Sequence, residues 1–148
     1  MSKLYSKMLV FFIMMLTGCA GLADYSYDLP GDYSIVRTSA HQVTIAPKIS
    51  ESNWGSDIIP KKVTEVAWDD NYILAKQLGL MNDPSSSNGY QIPNNDDFYY
   101  WIIEFKNGEV FGPLDEEGFI KMKNDLGIFD DLILKNVETL KQPISSSK

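Results

Sequence analysis

Residues 98–105, FYYWIIEF, offer no polar side to water. Side chains of a strand alternate between its two faces, so a strand that is apolar on both must be covered on both. Asn107–Gly108 and then EVFG follow this run, and an Asn-Gly pair between apolar segments signals a hairpin. The segment is therefore expected to be a central strand with a hairpin partner and a cover on each side.

Other stretches supply candidate neighbours. YSIVRTS and QVTIAPK, separated by Ala40 and His41, carry β-branched residues in near alternation, as do VTEVAW and YILAKQ on either side of Asp69–Asp70–Asn71. Asx residues between two such runs are good turn chemistry. Asn82 to Asp97, NDPSSSNGYQIPNNDD, is expected to be a long polar loop. Pro113 is expected to end the hairpin. Asp115 is a candidate N-cap with Glu116 and Glu117 in the first turn, and Phe119, Met122 and Leu126 recur at helical spacing before Gly127. Gly118 is expected to weaken that helix by ~1 kcal/mol against alanine. Asp130 is read as the start of a second helix, with Leu132, Ile133, Val137 and Leu140 on one side. The expected fold class is α+β, an antiparallel β-sheet of about six strands with one or two C-terminal helices packed on it. One domain is expected over residues 33–142, with a flexible tail over 143–148.

The front of the chain reads differently. Lys3 and Lys7 precede an unbroken apolar run from Met8 to Leu16, far shorter than the ~20 residues that span a bilayer. A basic start, a short apolar middle and small residues at a cleavage point make a secretory signal, here residues 1–18. Leu16, Thr17, Gly18 and Cys19 resemble the lipobox of bacterial lipoproteins. That resemblance implies a diacylglyceryl group on the Cys19 sulfur and cleavage before it, with residues 19–32 as a lipidated tether. The competing reading is a chance cysteine in an ordinary signal or anchor. Cys19 is the sole cysteine, so the expected mature chain forms no intramolecular disulfide. Removing Lys3 and Lys7 leaves 11 basic against 20 acidic residues, a formal charge of −9. That balance argues against nucleic acid as a partner and against the domain lying flat on anionic lipid by charge.

Catalytic patterns are sparse. His41 is the sole histidine, and no GxSxG elbow accompanies it. One histidine with no cysteine in the mature chain argues against zinc. Asp69–Asp70 and Asn94–Asn95–Asp96–Asp97 lack the alternating ligands and closing glutamate of a calcium loop. Paired carboxylates for a glycosidase are open among 20 acidic residues, without a positive signal. Trp54, Trp68, Tyr72, Tyr99, Tyr100 and Trp101 are read mainly as core, with a sugar-stacking platform as the alternative. Trp54, in a polar stretch, and Tyr90, in the long loop, are the candidate contacts for a ligand or partner.

The segments CAG, DYSYDLPGDYSIVRTSAHQVTIAPK and YYWIIEFKNGEVFGPLDEEGFIKMKNDLGI together resemble an uncharacterised family of small lipoproteins from Bacillus-type Gram-positive bacteria. The resemblance implies attachment to the outer face of the cytoplasmic membrane and carries no catalytic residues to transfer. The leading expectation is a non-enzymatic, membrane-anchored protein-interaction module of the cell envelope, with no cofactor and no metal. A cell-wall glycan or small-ligand binder is the alternative, and an envelope hydrolase the third reading.

Overall fold

The computed structural model describes residues 25–140. The signal segment expected over 1–18, the expected lipidation site Cys19, and the tail expected over 143–148 lie outside them. The described residues form two antiparallel sheets and one α-helix, α1. The α+β expectation holds in outline, but nine strands in two sheets replace the single sheet of about six.

The first sheet runs in sequence order: β1 (Tyr25–Leu29), β2 (Tyr33–Arg37), β3 (Val43–Ser50) and β4 (Asn53–Trp54). β1 falls inside the segment expected as a tether, and pairs with β2 from Tyr25↔Arg37 to Leu29↔Tyr33. Tyr25, Tyr27 and Leu29 alternate with polar residues, a half-buried strand pattern hidden by the Pro-Gly turn chemistry that follows it. Asp28 ties three strands together. It accepts from the Ser34 hydroxyl of β2 at 3.0 Å and from the Lys48 amine of β3 at 2.6 Å.

The second sheet has the order β8-β7-β6-β5-β9, built from β5 (Val63–Trp68), β6 (Tyr72–Asn82), β7 (Gln91–Glu104), β8 (Glu109–Leu114) and β9 (Lys135–Asn136). Asp69 closes the β5–β6 turn, its carboxylate accepting from Asn71 N–H and Tyr72 N–H, both at 2.7 Å. The FYYWIIEF run lies within β7 up to Glu104, between β6 and β8. Trp101 and Ile103 point into a core shared with Ile35, Val43 and Ile45 of the first sheet. Tyr100 and Ile102 point the other way, into a core shared with Phe119 of α1. The layers are thus sheet, sheet and helix, with β7 in the middle layer.

Three expectations are corrected. The polar stretch 82–97 is not one loop: β7 begins at Gln91, leaving residues 83–90 as the connection. Leu78 pairs with Phe98 and Gly79 with Asn94, so residues 95–97 bulge from the ladder. A bulge accommodates the polar run without ending the strand. Pro113 does not end the hairpin but lies inside the outer strand β8, in the register shift between Phe111 and Leu114 where the ladder to β7 is already interrupted. The second helix is absent among the described residues. Residues 135–136 add β9 to β5, and Val137–Thr139 make one 3₁₀ turn. Leu132 and Leu134 pack towards α1 while Ile133 is 70% exposed, the period-2 alternation of extended chain. The helix that does form, α1 (Glu116–Asp125), starts at Asp115, whose carboxylate accepts from Gly118 N–H at 2.8 Å. A Cβ on Gly118 would lie 3.0 Å from that carboxylate, so the glycine permits the close cap. Phe119 stacks on Tyr100 with ring centroids 4.4 Å apart, fixing the helix to β7.

Burial of both β7 faces makes a testable pair. Ile102→Ala and Ile103→Ala are each expected to cost ~2–5 kcal/mol in urea unfolding, since each side chain is fully buried on its own face. A cheap substitution at either site would show that face to be poorly packed. The Lys48 amine, before the smaller contribution of Ser34, holds the Asp28 carboxyl below its ordinary range. A carboxyl depressed by folding adds stability above its unfolded value of ~3.9, and this is lost as pH falls through the folded value. The Asp28 carboxylate is 60% exposed, so solvent screens the pair and its contribution is small. The urea midpoint of the native chain is expected to exceed that of Lys48→Met at pH 6, and the difference to vanish by pH 2.

Candidate functional site

Two connections, one from each sheet, meet at the end of the domain where β1 begins. Residues 38–42 join β2 to β3, and residues 83–90 join β6 to β7. The first is a tight reversal in which Thr38 N–H donates to Gln42 O at 3.0 Å. The Thr38 hydroxyl donates to the Gln42 side-chain oxygen at 2.9 Å, leaving the Gln42 amide NH₂ available as a donor. The second is organised by its own polar residues. Asp83 N–H donates to Tyr90 O at 2.8 Å, closing the loop. The Asp83 carboxylate accepts from Ser85 O–H at 2.6 Å and Ser85 N–H at 2.8 Å, and these bonds hold it below its ordinary range.

Between the two connections lies a cleft of about 220 Å³, lined by Ser39, His41, Gln42, Lys61, Leu80, Gly89, Tyr90 and Gln91. The rings of His41 and Tyr90 meet edge to face, with centroids 6.4 Å apart at 67°. Tyr90 is 53% exposed, whereas His41 is half-buried, with its Nδ1 buried and unpartnered among the described residues. Lys61 is exposed and belongs to none of the ion pairs among those residues. The lining contains no carboxylate, in a chain with 20 of them. Asp57 belongs to an adjoining hollow that shares Gln42 and Lys61.

The floor of the cleft is fastened to the core. Buried Gln77 on β6 accepts from the Trp101 indole N–H at 2.7 Å and donates to Lys61 O at 2.8 Å. Lys62 next to it donates its amine to Ala40 O at 2.7 Å, fixing residues 38–42 against the same segment. The position of Lys61 is thus set by a polar relay starting on the central strand.

The expected site residues separate in space. His41 and Tyr90 come together, but Trp54 does not join them. It pairs with Lys48 at the far end of β3, opposite the end that carries residues 38–42. Its indole nitrogen is buried and has no hydrogen-bond partner among the described residues. Tyr100 and Trp101 are core, and Trp68 and Tyr72 pack at its margins. Asp69 serves its turn, Asn94 lies within β7, and Asp96 and Asp97 lie in its bulge. Among the described residues no three His, Cys, Asp or Glu side chains converge as metal ligands. Sequence reasoning missed Lys61, Gln42 and Gln91. The one available signal was the Lys61–Lys62 pair ahead of a strand in an acidic chain. The cleft holds donors and an aromatic face; the lining that carries the Ser39 and Tyr90 hydroxyls and the His41 imidazole contains no carboxylate to complete a Ser-His-Asp arrangement.

Gln77→Ala strands a buried indole N–H and a backbone carbonyl. It is expected to cost ~1–3 kcal/mol in urea unfolding, and to increase hydrogen exchange at residues 61–62 more than on α1.

No curated protein and no solved structure matches the chain. Residues 30–138, spanning all of β2 to β9, match the model of a family described as Protein of unknown function (DUF3997), and the chain belongs to that family.

Proposed function

We propose that the chain is a lipoprotein anchored through Cys19 to the extracytoplasmic face of the cell membrane, of the kind found in Bacillus-type Gram-positive bacteria, and that its domain is a non-enzymatic interaction module of the cell envelope. The basic start, the apolar run and Leu16–Thr17–Gly18–Cys19 support the anchor. Two acyl chains on one residue suffice for stable attachment.

One observation carries the protein-interaction reading. Phe129 is 77% exposed and Ile133 70% exposed, within one short segment after α1. Ile133 also borders a groove of about 330 Å³ with Val66, Ala67 and Trp68, beside the β5 edge that β9 leaves unpaired. Large apolar side chains held in water beside a groove mark a surface for a partner. Asp130 and Asp131 lie between them in sequence, so the fitting partner offers apolar anchors inside a basic rim. The cleft favours a second reading, a small-ligand or wall-glycan binder using Tyr90.

Cys19→Ala is expected to release the chain from membranes and to remove the lipid mass from its N-terminal peptide. A photo-cross-linker in place of Phe129, on intact cells, is expected to capture one dominant envelope protein, and Ile133→Asp to abolish that capture. Unchanged membrane attachment in Cys19→Ala overturns the anchor. Scattered capture that Ile133→Asp does not alter overturns the interaction surface.

A further inference from the structure

The strand register places the cleft relative to the start of the domain. Tyr25, the first residue of β1, lies opposite Arg37, the last residue of β2. Residues 38–42 follow directly, so β1 begins at the end of the sheet that carries His41 and the cleft. If Cys19 is the anchor proposed above, on which the membrane part of this inference rests, six residue steps separate it from Tyr25. They reach at most about 21 Å. The cleft end of the domain is then the end held near the bilayer surface.

The cleft chemistry suits an anion. Lys61 supplies a cation with no ion-pair partner among the described residues, and the Gln42 amide a donor whose own oxygen is already engaged. His41 adds an imidazole whose Nδ1 is buried and unpartnered. No carboxylate lines the cleft itself, although the chain is strongly acidic; the nearest named one, Asp57, lies in the adjoining hollow and forms no ion pair with Lys61 among the described residues. Tyr90, half in water, gives an apolar wall for the carbon skeleton next to the charge. A volume of about 220 Å³ accommodates a phosphate with a few carbons and not a folded chain segment.

We propose that this cleft binds a small phosphate-bearing group such as a glycerol phosphate, presented either by a membrane headgroup within reach of the tether or as a free phosphoester. The acidic body of the domain disfavours broad contact with anionic lipid, so recognition is by the single group in the cleft and not by a charged face.

The single histidine makes the test direct, because its ring proton signals in NMR report on the cleft alone. The full chain, in neutral detergent and then in nanodiscs, is observed at fixed pH. Glycerol phosphate and inorganic phosphate are expected to shift the His41 signals saturably, and glycerol and acetate to leave them in place. Lys61→Gln is expected to weaken binding about tenfold, through loss of a charge-assisted bond. Lys121→Gln, on α1 away from the cleft, is expected to change nothing. A shift in phosphatidylglycerol discs but not in phosphatidylcholine discs assigns the source to a headgroup. A shift with the free phosphoester alone keeps the site and removes the membrane as its source. No saturable shift with any phosphate, an equal response to acetate, or an unchanged affinity in Lys61→Gln overturns the proposal. Mass spectrometry of the Cys19 peptide on the same sample reports the anchor separately, and titration with free phosphate tests the cleft whether or not lipid is present.

Discussion

The amphifacial burial of β7 organises the domain. Its Trp101 and Ile103 need one cover and its Tyr100 and Ile102 another, and no single layer can supply both. The first sheet meets one demand and α1 the other. Each cover carries a local device. The helix has the Asp115 cap and the Phe119–Tyr100 stack, and the sheet adds to its buried Ile35, Val43 and Ile45 the modest Asp28 junction across three strands. The candidate surfaces lie outside these covered faces. Even the placement of Lys61 leads back to β7, through Gln77 and the Trp101 indole.

Much of this frame was legible residue by residue. FYYWIIEF indicated a doubly covered strand, Asp69 and Asn71 a turn, and Asp115 a helix start. The division into two sheets was not legible, because alternation says which way a side chain faces and not which sheet its strand joins. β1 was obscured by its polar positions, and residues 91–97 by Asn and Asp that a bulge absorbs. The segment after Gly127 misled for a sharper reason. Leu132, Ile133, Val137 and Leu140 fit a helical period, while the burial of Leu132 and Leu134 around exposed Ile133 follows the period of a strand. Five apolar residues in nine positions, Leu134 included, satisfy either pattern, and the β5 edge decided between them.

The candidate cleft was less legible than the fold. Its walls come from residues 39–42, from Lys61 and from residues 80–91, and no linear spacing joins them. His41 and Tyr90 were each noticed for separate reasons, and only the pairing of the strands brings their rings together. Trp54, the other candidate contact, is carried to the other end of the sheet by the register of β3 and β4.

The rims of the two sheets bear on how such a chain behaves when many copies share a small area. The outer strands are β1, β4, β8 and β9. β4 and β9 have two residues each, too few to template a ladder. β8 carries Pro113, which offers no N–H, and β1 carries the charged Asp28. Short strands, a proline and a charge are devices that frustrate edge-to-edge growth. The fold can therefore be crowded on a surface without its sheets fusing into fibrils, even though Phe129 and Ile133 stand exposed among the described residues.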